Sequence, residues 1–449
     1  MVVGRIFVAT LALCGFAFGQ ANILEAAQPR PALTPEQKLG QRLFHDQHLS
    51  NLGSDWGGSC AACHKPDHAY ADNKALSLAP NGDRGHAIVF DRNTPSLLDA
   101  AAATRLGWDG RFASLDDAIK SELFGPHMGW ESSKTADALS AFHTHLINDQ
   151  GGGEFAEGSY KDQINAVYGR DVEAASPEEA GVAVLRALGE FLKNTTSTRT
   201  TPYDAFAYMN RIEKKIDIKG GDTADAFAGR VFGTLANQEG RLVLKLPEYQ
   251  TEEFYKGFKI FYQYDAEAHA GNCVACHHVP LFTDSQFHNT GVTQDEYDGV
   301  HGDGAFMNMA IPDSNANAGE KTRTSAAKDD PAKADLGHWN VADGNLESAI
   351  GAFKTPGLTD VDNTAPYGHN GQYATLEDVI RQKMKASNLA REGKLRNAPE
   401  AYKWMFLSEE DIAPLVTFLK AMTEAEPEHF RSLVMDNVTV MKGPYPFSE

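Results

Sequence analysis

The sequence predicts a mainly α-helical protein built as two related halves. Three observations carry this reading. Apolar residues recur at helical spacing behind capped starts. One short cysteine–histidine motif occurs twice, about two hundred residues apart. The stretches leading into its two copies share a pattern. A chain of 449 residues can hold two domains with cores of their own, and 42% hydrophobic with 23% charged residues is a globular composition.

The first residues, "MVVGRIFVATLALCGFAFGQ", carry one basic residue, Arg5, before an apolar run from Ile6 to Phe18 that is too short to span a bilayer. Small residues at Ala17 and Gly19 place signal-peptide cleavage near Gly19, so residues 1–19 are expected to be removed. Cys14 would leave with them, and Leu13 is too bulky for the position before a lipidated cysteine. No later stretch reads as a transmembrane anchor, so an exported, periplasmic protein is expected. "LTPEQKLGQRLF" opens a helix, with Thr34 as N-cap, Pro35 at the first helical position, Gln37 closing a capping box, and Leu39 and Leu43 on one face. "IDIKGGDTADAFAGRVFGTLANQEGR" is Gly-rich without clean periodicity. A domain boundary is therefore expected near residue 215, giving domains 31–215 and 216–449. Residues 292–345, with "PDSNANAGEKTRTSAAKDDPAKAD", read as a polar surface excursion. "TLEDVIRQKM" is a helix capped by Thr375. "LSEEDIAPLVTFLKAMT" is another, starting at Ser408 with Ile412, Leu415, Val416 and Leu419 on one stripe.

Four cysteines remain after Cys14: Cys60 and Cys63 in "CAACH", Cys273 and Cys276 in "CVACH". Four cysteines in an exported protein would ordinarily suggest disulfides, but every one of these sits in a Cys-x-x-Cys-His motif, the attachment site of c-type haem. The two thiols add across the porphyrin vinyl groups, and the histidine that follows binds the iron. The spacing serves to bring both thioethers and the imidazole to a flat macrocycle. With 5 cysteines and 16 histidines in 449 residues, chance gives roughly 0.002 such motifs per chain. A zinc site has no reason to place histidine after both pairs, and neither has a thioredoxin-like redox pair. Two covalent haems are expected, with His64 and His277 as proximal ligands and His278 pointing away as a bystander. The stretches "LGQRLF" and "KGFKIF" ahead of the motifs each hold Gly, two residues, then an apolar pair ending in Phe, which reads as an internal duplication.

The formal charge of −20 excludes nucleic acid as a partner and suits a small basic protein, which an acidic surface can steer.

Further landmarks follow in order: "RNTPSLLDAA", "WDGRFASL", "FTDSQFHNTGV", "FKTPGL" and "TAPYGHNGQYATLEDV". From about Leu33 to Thr423 the chain resembles the bacterial di-haem cytochrome c peroxidases, including the related enzyme that matures the tryptophan-derived quinone of methylamine dehydrogenase. The resemblance implies two cytochrome c-like helical domains, each with one covalently attached haem. The N-terminal haem would react with peroxide and the C-terminal haem would relay electrons. It implies that Trp108 lies between the haems and couples them. It also implies a calcium ion between the domains, bound by Asn93 and the backbone carbonyls of Thr364 and Pro366; oxygen ligands suit calcium. His86 would cap the first haem in the oxidised resting state. The chain departs from the family in two places. Ala118 stands where a Gln is usual, and no Glu follows Pro126; with one residue deleted, His127 takes the Glu position. A neutral imidazole can take a proton from peroxide and return it, although His127 could equally serve as a hydrogen-bonding wall. The family's Met or Tyr ligand of the second haem falls at Lys383. Met384 follows it and is favoured because a thioether raises the potential, yet Lys383 lies nearer the centre of the Leu376, Val379, Ile380 face. No tyrosine is adjacent.

The resemblance thus implies a periplasmic di-haem peroxidase that reduces hydrogen peroxide with electrons from a small cytochrome c or copper protein, possible as a homodimer. The alternatives are a peroxide-driven enzyme that oxidises Trp or Tyr of a protein substrate, and a non-enzymatic di-haem electron carrier.

Overall fold

The computed structural model describes residues 31–51, 58–76, 78–80, 87–89, 92–238, 242, 246, 249, 251–264, 268–310, 335–342 and 347–441. The expected signal segment, Cys14, His86 and the polar run 311–334 lie outside them. The fold is mainly helical. Its helices are α1 Pro35–His45, α2 Cys60–Cys63, α3 Leu115–Leu123, α4 Thr135–Asn148, α5 Tyr160–Tyr168, α6 Pro177–Lys193, α7 Pro202–Met209, α8 Ala224–Asn237, α9 Thr251–Tyr262, α10 Val292–His301, α11 Leu376–Arg391, α12 Glu400–Lys403, α13 Ile412–Lys420 and α14 Pro427–Met441. Two short antiparallel pairs join β1 Leu78–Pro80 to β2 Ala87–Val89 and β3 Phe287–His288 to β4 Phe353–Lys354.

The expected starts are present. The Gln37 N–H donates to Thr34 Oγ1 (3.2 Å) while the Thr34 N–H donates to Gln37 Oε1 (3.0 Å). Thr375 caps α11 in the same reciprocal way with Asp378. Ser408 pairs with Asp411 across a short 3-10 turn, Glu409–Asp411, that runs into α13. Two expectations change. The Gly-rich stretch that looked aperiodic contains α8, capped by Thr223, because Phe227, Val231 and Leu235 stand four apart on one buried face. The supposed surface excursion has packed ends: Phe306, Leu336, Trp339 and Ile350 form a small buried cluster beside α10.

The larger cores are separate. One is built from α1, α3, α4, α5 and α6, around Leu43, Phe44, Phe142, Leu188 and Phe191. The other is built from α7, α8, α9, α11 and α13, around Phe227, Phe254, Phe258, Phe261 and Phe418. The boundary expected near residue 215 falls inside the second cluster, which already takes in Tyr203, Phe206 and Ile212.

Each core is organised by the same helix crossing. α1 meets α6 at Gly40, where an added Cβ would lie 2.0 Å from the Ala187 carbonyl oxygen and 2.7 Å from Phe191 Cβ. α9 meets α13 at Gly257, where it would lie 1.9 Å from the Pro414 oxygen and 2.9 Å from Phe418 Cβ. These are the glycines of "LGQRLF" and "KGFKIF", so the repeated pattern marks a backbone-to-backbone approach that only glycine permits. Gly40→Ala and Gly257→Ala should each force their crossing apart and lower stability by about 1–3 kcal/mol or more in denaturant unfolding, as overpacked cores do. An alanine at either position that leaves stability unchanged would show that the helices can slide to accept it.

Candidate haem sites

Both Cys-x-x-Cys-His motifs fold into one tight turn. The His64 N–H donates to the Cys60 carbonyl (2.8 Å) and the His277 N–H to the Cys273 carbonyl (2.9 Å). Each ring is then held from behind: His64 Nδ1 lies 2.9 Å from the Tyr70 carbonyl and His277 Nδ1 2.8 Å from the Phe282 carbonyl. Tyr70 and Phe282 both have positive φ, 57° and 54°, and so turn their carbonyls back toward the rings. A backbone acceptor on Nδ1 fixes the tautomer and leaves Nε2 for a metal. Burial lowers the pKa of both imidazoles, His277 to about 4, which keeps them neutral as a ligand must be. None of these four cysteines is in a disulfide, and burial, reinforced by the neighbouring cysteine, pushes Cys60 and Cys273 up to about 12. Paired thiols beside a histidine with a committed Nδ1 fit covalently held haem in both halves. His278 turns away toward the Ala275 carbonyl.

Facing the first motif, His127 stands on the turn Pro126–Met128 after α3. Its Nδ1 contacts Glu122 Oε2, and Glu122 also lies 3.5 Å from Arg111. Burial, then Arg111 and His64, push the His127 pKa down to about 4. Glu122 and Arg111 were not anticipated. The missing carboxylate after Pro126 is answered by one four residues before it.

At the second motif the two candidate ligands separate. Burial pushes Lys383 down to about 8, and its amine is close enough to Cys273 and His277 to lower the pKa of both. Met384, favoured from sequence, packs against the second core instead. A tyrosine does reach this motif, although none is adjacent in sequence. Tyr402, buried on α12, has its pKa raised well above the usual value by burial and then by Cys276 and Cys273.

The duplication extends beyond the stretches that precede the motifs. "TPSLLD" (94–99) and "TPGLTD" (355–360) both end in an aspartate with positive φ whose N–H donates to the close of a core helix region, Asp99 to Thr195 and Asp360 to Met422. "LGWDGRFASLDDAI" (106–119) and "YGHNGQYATLEDVI" (367–380) close equivalent loops, Leu106 with Phe112 and Tyr367 with Tyr373. The same spacing carries Glu122, the partner of His127, onto Lys383.

Trp108 sits where the halves meet. Its Nε1–H donates to the Asn93 carbonyl (2.8 Å), and its own carbonyl accepts from the Lys354 N–H (2.8 Å). Asn93 is buried; its N–H donates to His369, on the loop that holds Thr364 and Pro366, and its side-chain amide donates to the Lys74 carbonyl. Arg92 ties the seam, 2.7 Å from Asp109 and bidentate on Asp335 at 2.8 and 2.9 Å.

Comparison with known proteins accords with this geometry. Residues 34–211 match the family model of di-haem cytochrome c peroxidases. Over those residues the chain resembles that family. It is 28% identical over 379 residues, 83% of this chain and 80% of the relative, to cytochrome-c peroxidase IdrP2 of Pseudomonas sp. (strain SCT). It is 23% identical over 406 residues, 90% of this chain and 87% of the relative, to methylamine utilization protein MauG of Methylophilus methylotrophus. Its fold is like that of a MauG-like protein associated with microbial copper homeostasis, with a TM-score of 0.55 and 22% identity over 88% of this chain and 91% of that one. These relatives make the chain an oxidoreductase of the di-haem peroxidase type, and the family it matches implies two c-type haems. Among the described residues no helix is long and apolar enough to cross a membrane.

The seam yields a pH-dependent prediction. Burial alone would raise the Asp335 pKa, but the charge and hydrogen bonds of Arg92 outweigh it and hold the carboxyl well below the usual range. The stability this contributes is present above the unfolded pKa of about 3.9 and is lost as pH falls below it. Asp335→Asn should cost about 1.5–3 kcal/mol at pH 7 in denaturant unfolding, because Arg92 loses one of its two buried carboxylate partners and keeps Asp109. The difference from wild type should shrink as pH falls below about 4.

Proposed function

We propose that the protein is a periplasmic di-haem peroxidase that reduces hydrogen peroxide to water with electrons from a small redox protein, its surface charge of −20 favouring a basic donor. The reading places one cytochrome c-like domain around each motif. The observation that carries it is the group facing the first motif: a neutral His127, backed by Glu122 and flanked by Arg111.

Haem iron held by His64 would supply the redox centre at which peroxide accepts electrons. The protein's own residues would move the protons. Glu122 accepts from His127 Nδ1 and so leaves Nε2 as the basic nitrogen. Nε2 takes a proton from the near oxygen of peroxide and returns it to the departing one. The Arg111 charge keeps the imidazole neutral and stabilises negative charge on the departing oxygen. Two further protons and two electrons complete the conversion of one peroxide to two waters. The electrons would enter through the second haem, held by His277, and cross by way of Trp108. Lys383, rather than Met384, would present the distal group to that haem. A calcium ion on Asn93 and the carbonyls of Thr364 and Pro366 would stiffen the seam; the Asn93 amide donates to Lys74 and so leaves its oxygen as a ligand.

Steady-state assay with reduced small cytochromes and copper proteins should show peroxide-dependent donor oxidation. Fast reaction with peroxide but no turnover of any small donor would favour oxidation of a protein substrate instead. His127→Ala should slow the peroxide reaction about 10²- to 10⁴-fold in stopped flow with haem content unchanged. In the wild type the rate should hold through neutral pH and fall only as pH drops toward about 4, where the imidazole takes up a proton. A rate for His127→Ala within about threefold of wild type would reduce His127 to pocket lining. Glu122→Gln should keep both haems, slow the reaction less than His127→Ala, and shift the acid limb to lower pH, because the carboxylate no longer favours the imidazolium.

Lys383→Met should change the absorption and magnetic circular dichroism bands of one haem only and raise its potential, since a thioether favours the reduced iron. Spectra and potential identical to wild type would place the Lys383 amine away from the iron.

A further inference from the structure

We propose that Asp46, His48 and His145 form a binding site for a first-row divalent transition cation of the zinc or copper(II) type, separate from both haem motifs. Asp46 ends α1 and caps the following turn, Gln47–Leu49, by accepting the His48 N–H (2.8 Å). Its carboxylate is anchored a second time by the Tyr160 hydroxyl, which donates to Oδ2 (2.7 Å). Two imidazoles converge on this fixed group. His48 Nδ1 lies 2.9 Å from Oδ1, and His145 Nε2, from α4, lies 2.7 Å from Oδ2. The rings stack with centroids 4.5 Å apart at 14°, so their donor nitrogens address the same space. One donor atom from each residue falls within 4.8 Å of the other two.

The donors suit such an ion in kind and in spacing. Two imidazoles and a carboxylate favour zinc or copper(II) over calcium or magnesium, which prefer oxygen. Donors of a tetrahedral zinc site stand about 3.3 Å apart, each 2.0–2.1 Å from the metal, so small ring movements would let an ion replace the protons now shared with Asp46. The group opens on a surface cleft whose walls, among the described residues, carry Gln47, Ser50, Ser140, Thr144 and Asn148 and no lysine or arginine, which leaves room for water as a fourth ligand. Arg42, the cation nearest Tyr160, is taken up by Asp149 and Gln163. In the haem-loaded protein the cysteines are consumed as thioethers, so this cluster meets no competition from them.

The test is calorimetric titration of chelator-stripped holoprotein with zinc sulfate and, separately, copper sulfate. We expect one ion per chain with a Kd of about 10 µM or tighter for at least one metal. Its uptake should raise the thermal midpoint, since it joins the end of α1 to α4. Loss of an outer-shell partner alone costs 10–100-fold, so His48→Ala and His145→Ala should each weaken binding by about tenfold or more. Haem absorption should stay the same in both. His48 is mostly exposed, and its variant keeps the fold even if His145→Ala does not. Absence of saturable binding by either metal would overturn the proposal, as would binding that His48→Ala leaves unchanged.

Discussion

Two glycines fix the frame on which everything else hangs. At Gly40 and Gly257 a helix backbone lies against another helix's carbonyl with no room for a methyl group. That approach sets how α1 crosses α6 and how α9 crosses α13, and each crossing carries a haem motif just downstream. The turn after each motif is then pulled in by a core aromatic. Phe282, whose carbonyl holds the His277 ring, packs on Tyr203 and Phe261 of the second core. Ligand orientation is thus a consequence of helix packing rather than of the motif alone. The five-residue motif specifies chemistry, and the crossing specifies where the chemistry points.

On a duplicated frame, differences between the halves carry the function. The same repeat position is Glu122 in the first half and Lys383 in the second. A carboxylate there backs an imidazole that faces His64. An amine there lies beside thiols and His277. Trp108 and His369 are likewise equivalent, and the two loops cooperate: Asn93 accepts from the Trp108 indole and donates to the His369 carbonyl. On the proposed reading, a few side chains fit one of the two similar sites for proton transfer and the other for holding an electron.

How much of this could be read in advance follows from what a short pattern records. The capping residues Thr34, Thr375 and Ser408 were legible because a cap is satisfied locally, within four residues. The haem motifs were legible because covalent attachment demands adjacent residues. The likeness of the pre-motif stretches was visible, but its cause, a contact between helices about 150 residues apart, was not. α8 was obscured by its glycines, which lie off the buried face, while Phe227, Val231 and Leu235 kept the helical spacing. The choice between Lys383 and Met384 depended on the rotation of α11. Helical projection favours Lys383, whereas ligand chemistry favours Met384. Tyr402 could not have been found from neighbours in sequence. Asn272, the residue before Cys273, brings it in, its side-chain amide donating to the carbonyl of Ala401 on α12.

The seam between the halves deserves its charge for a mechanical reason. Arg92 is flanked by Asp109 from its own half and Asp335 from the other, and all three are largely withdrawn from water. Such a triad costs desolvation and adds little net stability over apolar packing, but it tolerates very few arrangements. Around it, Gly110 leaves room for the Phe287 ring, which stacks on His338 at 3.8 Å, and His338 holds the Asp109 carbonyl. Asp109 is the residue after Trp108, so the directional bonds of Arg92 and His338 fix the indole's backbone on the side facing the second half. Electron transfer between two fixed centres depends steeply on separation, whereas hydrophobic contact alone lets surfaces slide. A bidentate ion pair next to the Trp108 indole converts a contact between halves into a defined distance.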